Sequence, residues 1–265
     1  MNPKTEIVIT GASSGLGAAF AQYYAQEGYS IAIQGRRKEK LEVISDTLTR
    51  KHPRCSIEII IAELSEDYIR REFYAQIEKL PNLKALINNA GFNIDGRFHT
   101  NDIELYKTLT STHMDATVEL THAALPALRE NKGTLINVSS ISAFIPTPLS
   151  PLYGATKVFI KAFTDSIAAN YADEGLKAIT LCPGFIRTDF HSKLGINTDE
   201  FYKRKGLYKA YTPKQVVEKA IHDLNRGKTL SIKGANYRAI YIIAKLMPQW
   251  VSHWLGRQTK SSRPK

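Results

Sequence analysis

Thr10-Gly11-Ala12-Ser13-Ser14-Gly15-Leu16-Gly17 is the stretch on which the fold turns. It follows a short β-rich run, Glu6–Thr10, and leads straight into the helical spacing of Ala18–Glu27. Gly11 permits a tight turn, Gly15 lets backbone approach a pyrophosphate, and Gly17 permits close helix packing. The free amides and positive end of the following helix then meet negative charge. A plain loop would also use glycines. Their place between a first strand and a first helix is what reads as a dinucleotide-binding turn. Gly11, Ser13, Ser14, Gly15, Leu16 and Gly17 are therefore candidate cofactor-binding residues.

Outward from this turn, strand-like and helical runs alternate through the chain. Ser30–Gln34, Ser56–Ile61, Ala85–Asn88, Thr134–Val138, Ala178–Leu181 and Thr229–Ile232 read as further buried strands. Lys38–Arg50 and Asp67–Lys79 carry helical spacing between them. Strands separated by helices of this length imply right-handed βαβ units. The expected fold is α/β: a Rossmann-type, doubly wound three-layer sandwich with a parallel sheet of about seven strands. No composition break or repeat marks a second domain, so residues 1–256 are expected to form one unit and residues 257–265 a basic, disordered tail. In such a sheet ligands bind beyond the carboxyl ends of the strands, and the chemistry-bearing residues do follow strands.

The formal net charge is +11, from 36 Lys and Arg against 25 Asp and Glu. That excess favours anionic partners, whether a phosphorylated cofactor or an acidic lipid surface. Without a zinc-finger, helix-turn-helix or RNA-binding signature, nucleic acid is not an expected partner. Cys55 and Cys182 lie far apart in apolar surroundings and read as reduced core residues; no metal site is expected. The opening is too short and wrongly flanked for a signal peptide, and no apolar run is long enough to span a membrane, so the cytoplasm is the expected location.

The second strand ends in Gly35-Arg36-Arg37. A site preferring NAD would place a carboxylate near here against the ribose 2′-hydroxyl, whereas a guanidinium suits a 2′-phosphate. The expected cofactor is NADP(H), with Arg36 the better candidate and Arg37 its neighbour.

Beyond the fifth strand lie Ser139-Ser140 and then Tyr153-Gly154-Ala155-Thr156-Lys157. On a helix, Tyr153 and Lys157 share a face. A nearby ammonium favours the phenolate, and lowering a tyrosine pKa by about 3 units takes roughly 4 kcal/mol. Tyr153 could then exchange a proton with a substrate oxygen while Ser140 holds that oxygen by a hydrogen bond. In isolation the Tyr-x-x-x-Lys spacing is common on protein surfaces; its weight comes from company.

With both ends of the site in view, the chain resembles the short-chain dehydrogenase/reductase family from about Ile7 to Phe190. Five motifs stand in the family's order: the Thr10–Gly17 turn, Asn88-Asn89-Ala90-Gly91, Ser140 at the family's spacing before Tyr153, the Tyr153/Lys157 pair, and Pro183-Gly184-Phe185-Ile186-Arg187-Thr188. The resemblance implies hydride transfer between NADP(H) and a carbonyl or secondary alcohol. Ser140 would hold the substrate oxygen, Tyr153 would be acid and base, and Lys157 the charge and ribose ligand; Ser139 is the adjacent alternative to Ser140. It also implies that Asn89, Ala90 and Gly91 line the cofactor groove, that Pro183 and Gly184 belong to the segment closing over the nicotinamide, and that Ile186 and Thr188 touch its carboxamide. Two departures stand out. The family's usual asparagine falls at His113, a tentative catalytic position, and its usual aspartate near the adenine is Glu63, followed by Leu64.

Two rim segments, Phe92–His99 and residues 190–211, are substrate loops by the resemblance; the second carries His191, Lys193, Lys203, Arg204, Lys205 and Lys209. Within residues 236–255, Tyr237, Ile240, Tyr241 and Ala244 recur at helical spacing before Met247, Trp250, Val251 and Trp254. Pro248 is expected to interrupt that helix. This amphipathic stretch is open to three uses: peripheral contact with a membrane surface, a cap on a lipophilic pocket, or packing against the protein itself or a second subunit of a homodimer or homotetramer. The rival to an enzyme is a catalytically impaired NADP(H)-binding sensor or scaffold; a sugar-nucleotide epimerase or dehydratase fits poorly, because its glycine turn is spaced differently.

Overall fold

The computed structural model describes residues 1–188, 209–248 and 250–251. Seven strands form one sheet: β1 (Ile7–Ile9), β2 (Ser30–Gly35), β3 (Ser56–Ile61), β4 (Ala85–Asn88), β5 (Thr134–Val138), β6 (Lys177–Leu181) and β7 (Leu230–Ser231). Their spatial order is β3-β2-β1-β4-β5-β6-β7, and every pairing is parallel. Strand order reverses between β1 and β4, which opens a crevice beyond their carboxyl ends.

The strands are continuous apolar runs because both faces are covered. Helices α1 (Gly15–Gln26) and α2 (Lys38–Lys51) cover one face, and α3 (Asp67–Ile77) packs on the other. Phe20 and Leu41 meet Ile9 and Ile33 on the first side; Phe73 and Ile77 meet Val8 and Leu86 on the second. Alternate residues of β1 thus serve opposite layers. Cys55 and Cys182 are both buried free thiols.

After β4 come α4 (Ile103–Thr110), a π-helical turn (Ser111–Asp115) and α5 (Ala116–Glu130), running as one helical segment. Helix α6 (Pro151–Asn170) starts with proline in its first turn, where the missing N–H breaks no bond. Helix α7 (Pro213–Asn225) is opened by a reciprocal Thr212/Gln215 capping box. Helix α8 (Ala235–Leu246) stops with Met247 in an extended conformation, as a residue preceding Pro248 must.

The segment of residues 189–208, which includes most of the expected basic substrate loop, lies outside the described residues, as does the tail at 257–265. The ends of the first are tied together. Ile186 bridges Tyr211 in parallel, the Tyr211 N–H donates to the Phe185 carbonyl at 3.0 Å, and the Arg187 N–H donates to the Tyr211 carbonyl at 2.9 Å.

Candidate active site

A cavity of about 680 Å³ lies across the strand-order reversal. One end is the glycine turn. Gly11 and Gly15 adopt φ of +63° and +59°, the left-handed region where a side chain would be strained. A methyl on Gly11 would stand 2.8 Å from the Ala90 Cα, so the turn lies directly against the segment after β4. That junction is bonded as well as packed. The Thr10 hydroxyl accepts from the Asn89 and Ala90 amides, and Asn89 Nδ2 donates to the Thr10 and Gly11 carbonyls at 2.8 and 3.1 Å. Asn89, Ala90 and Gly91 line the cavity, but the Asn89 carboxamide is already committed to holding the turn.

Helix α1 begins at this turn with no acidic residue in its first turn and no side-chain cap from Ser14. Its leading amides are therefore left to a ligand or water. Arg37 Nη2 donates to the Ser13 and Ser14 hydroxyls at 2.8 and 2.9 Å. Arg36 Nη1 lies 2.9 Å from Glu63 Oε2 in an ion pair whose arginine side chain is 59% exposed. Burial works to raise the Glu63 pKa, but hydrogen bonds from Arg36 and Ser65 win and hold it below the usual carboxylate value. Gly15, Leu16, Arg36, Arg37, Glu63 and Leu64 all line this end. The sequence ranked Arg36 above Arg37; the structure gives Arg37 the place against the turn and Arg36 an acidic partner.

The other end holds Ser140, Tyr153 and Lys157, delivered by β5 and α6. The Ser140 and Tyr153 hydroxyls are hydrogen-bonded to each other. Lys157 Nζ sits 5.4 Å from the centre of the Tyr153 ring and donates to the Val138 carbonyl at 3.1 Å. Ser139 also lines the cavity, but its hydroxyl donates to the Lys157 carbonyl at 2.7 Å. The expected lowering of the Tyr153 pKa is not met. Burial pushes it up to about 12, against a smaller downward pull from Ser140, and burial lowers Lys157 to about 8. Both groups are buried, and desolvation is the largest influence on each.

His113 lies in the π-helical turn and is fully buried. The Phe92 amide donates to its Nε2 at 3.1 Å, so the ring proton resides on Nδ1, which donates to Thr156 Oγ1 at 2.9 Å. Thr156 in turn donates to the Tyr153 carbonyl at 2.8 Å. Burial, then the Lys157 charge, keeps the imidazole pKa well below its ordinary value. With both nitrogens bonded to protein, this neutral ring ties the rim segment at Phe92 to the helix carrying Tyr153. The sequence offered it tentatively as catalytic; in the fold both its nitrogens are bonded within the protein. Gly91 makes room for it, since a methyl there would lie 2.6 Å from His113 Nε2.

Pro183, Gly184, Ile186 and Thr188 form the facing wall. A methyl on Gly15 would stand 3.2 Å from Thr188 Cγ2, so this wall reaches the glycine turn. A residue that linear spacing assigned only to an amphipathic helix proves central to it. Tyr237 lies beneath Gly184, its hydroxyl accepts from the Phe185 amide at 3.1 Å and donates to the Lys209 carbonyl at 3.0 Å. The sequence placed Asn93 and Asp95 only within the Phe92–His99 rim segment and gave no signal for Ser150; the three line the cavity and bond one another, Asn93 Nδ2 donating to Asp95 Oδ1 and to Ser150 Oγ. Among the described residues no group of His, Cys, Asp and Glu is arranged to hold a metal ion.

The comparisons with known proteins agree with this architecture. Residues 5–199 match the family model described as short chain dehydrogenase. A sulfoacetaldehyde reductase of Chromohalobacter salexigens is 33% identical over 189 residues, covering 69% of this chain and 73% of its own. A serine 3-dehydrogenase of Rhizobium radiobacter is 31% identical over 186 residues, with 69% and 73% coverage. Among solved structures, a short-chain dehydrogenase from Sphingobium yanoikuyae in complex with NADPH superimposes with a TM-score of 0.80 at 22% identity, covering 98% of this chain and 96% of that one. A parallel sheet reversing at β1 and β4, a glycine turn at the reversal and a Ser/Tyr/Lys cluster facing it have one common source: the chain belongs to the short-chain dehydrogenase family of oxidoreductases.

Proposed function

We propose that the protein catalyses NADP(H)-dependent interconversion of a carbonyl compound and a secondary alcohol. The observation that carries this reading is the convergence of Ser140, Tyr153 and Lys157 on the same cleft as an anion-ready helix end flanked by two arginines. The residues fit a phosphorylated dinucleotide: Gly11 and Gly15 at positive φ, Gly11 close against Ala90, uncapped amides of α1, and Arg37 already bonded beside them. The relatives support it too, being named for reduction of an aldehyde and dehydrogenation of serine, and the solved neighbour for its NADPH complex.

When bound, the nicotinamide supplies a hydride to the carbonyl carbon or accepts one from the alcohol carbon. The amides of α1 would hold the pyrophosphate, and Arg36 and Arg37 would hold the 2′-phosphate. Ser140 donates a hydrogen bond to the substrate oxygen, where negative charge develops. Tyr153 hands its proton to that oxygen in reduction and recovers it in oxidation. A phenol whose pKa is about 12 is fully protonated at neutral pH, which suits reduction; oxidation needs the phenolate and should accelerate toward alkaline pH. Lys157 would hold the ribose and stabilise the phenolate as it forms.

The test is Tyr153→Phe, assayed for turnover and for thermal stabilisation by NADPH and NADH. Turnover should fall by about 10²–10⁴-fold. NADPH should raise the melting temperature of both proteins equally, and by more than NADH does. Residual turnover near the wild-type rate would remove Tyr153 from the mechanism. A larger shift with NADH would overturn the cofactor assignment while leaving the reaction class, and no shift with either would favour a protein that has lost the cofactor altogether.

A further inference from the structure

Helix α8 has two faces of different fate. Tyr237, Ile240 and Tyr241 pack inward, and Tyr237 and Ile240 line the cleft. Ile242, Ile243 and Leu246 point away, 53%, 56% and 77% exposed, and Trp250, just past the helix end, is 74% exposed. Ile242, Ile243 and Leu246, spaced at i, i+1 and i+4, belong to one stripe of the helix, and Trp250 follows beyond Pro248. Single exposed apolar residues are ordinary, but three aliphatic side chains in one stripe with an exposed tryptophan just after it are not.

The charge around the stripe says what covers it. Beyond Asp223 the sequence carries nine Lys and Arg and no Asp or Glu, out of a net charge of +11. The rest of the chain is nearly neutral. Arg238 and Lys245, both exposed, fall along one edge of the apolar stripe, and their stems can run beside it while the charges reach outward. A second copy of the chain would bring two strongly basic regions together, which electrostatics opposes. A convex helix with an apolar outer face and basic edge suits a flat, negatively charged lipid interface.

From this juxtaposition we infer that the outer face of α8 docks the protein on anionic lipid. Ile242, Ile243 and Leu246 enter the boundary between headgroups and acyl chains, with Trp250 at headgroup level, while Arg238 and Lys245 meet lipid phosphates. Because the opposite face of the helix lines the cleft, docking brings the cleft wall within about one helix diameter, ~10 Å, of the lipid. Among the described residues no helix is long and apolar enough to cross a membrane, so the contact is peripheral. The inference stands apart from the reaction proposed above, because binding is read without cofactor or substrate.

The experiment is flotation of the full chain with phosphatidylcholine vesicles, alone and mixed with phosphatidylglycerol. The protein should float with the mixed vesicles only, and less so as salt is raised. The double substitution Ile243→Asp/Leu246→Asp should weaken binding by at least about tenfold, because it drives two charges into the boundary. As both positions are exposed, melting temperature and circular dichroism should not change. Arg238→Gln and Lys245→Gln, which leave the apolar stripe intact, should each weaken binding about fivefold. Failure of the wild-type chain to float with anionic vesicles would overturn the inference. So would flotation unaffected by either set of substitutions. Self-association in sedimentation, abolished by the double substitution in a chain that does not float, would identify a second copy as the occupant instead.

Discussion

The two ends of the cleft are built by different means. At the glycine turn, backbone does the shaping: two glycines at positive φ, a helix start without a cap, and Asn89 and Thr10 bonding main chain to main chain. At the reacting end, side chains from separate elements do it. His113 spans Phe92 and Thr156, Tyr237 spans Phe185 and Lys209, and Asn93 reaches Ser150. A backbone-built end serves any dinucleotide and leaves selectivity to a few charges at its edge. A side-chain-built end can be retuned for a new substrate one residue at a time, and each such change also risks the alignment of Tyr153.

If that division is real, substitutions at one end should leave the properties of the other untouched. The largest effect should come at the seam, from Lys157→Met. Turnover should drop by about 10²-fold or more, since the charge facing the developing phenolate disappears. Stability should rise. Lowering the Lys157 pKa from 10.5 to about 8 corresponds to about 3 kcal/mol of desolvation at neutral pH, partly offset by loss of the bond to the Val138 carbonyl, leaving a net gain on the order of 1 kcal/mol. The folded-state pKa lies below the unfolded one, so the unfolded chain holds the extra proton between those values. Wild-type stability should accordingly rise with pH from about 8 toward 10.5, and Lys157→Met should flatten that slope in denaturant titrations run across the window.

Next in size is Tyr237→Phe. It removes the hydroxyl that accepts from the half-buried Phe185 amide and donates to the Lys209 carbonyl, a defect of about 1 kcal/mol. We expect kcat/KM for the carbonyl substrate to fall about tenfold while the NADPH-to-NADH preference stays unchanged. A shifted cofactor preference would mean that the two ends are mechanically coupled and the division fails.

The smallest effect belongs to Glu63→Gln. Removing the carboxylate frees Arg36 from a half-exposed ion pair and takes a negative charge from the edge of the phosphate site. Exposed pairs are worth under about 1 kcal/mol, so NADPH affinity should improve by no more than a few-fold, with NADH and kcat unaffected. Titration calorimetry with both cofactors reads this directly; equal gains for the two would place Glu63 against a group they share, not the 2′-phosphate.

The strands and the glycine turn were legible in the sequence because each is a local pattern. Short apolar, β-rich runs and a glycine spacing need only a handful of adjacent residues to be recognised, and β3, β4 and β5 fall where the sequence placed them. Boundaries moved where hydrogen bonding set them, by one residue at each end of β1, which is Ile7–Ile9 and not Glu6–Thr10, and by three at the start of α1, which begins inside the turn at Gly15 and not at Ala18. Pro248 stopped α8 as its missing N–H and its effect on Met247 require.

The sequence by itself therefore determined the layering, the turn and the Tyr153/Lys157 pair, whose members are one helical repeat apart. Tertiary structure alone decided that Arg37 packs on Ser13 while Arg36 faces Glu63, that His113 is bound at both nitrogens, and that Tyr237 anchors the wall opposite Tyr153. It also decided the protonation balance. Proximity in sequence argued for a lowered Tyr153 pKa, but burial raised it to about 12, because desolvation depends on everything packed around a group and on nothing that its near neighbours in the chain can reveal.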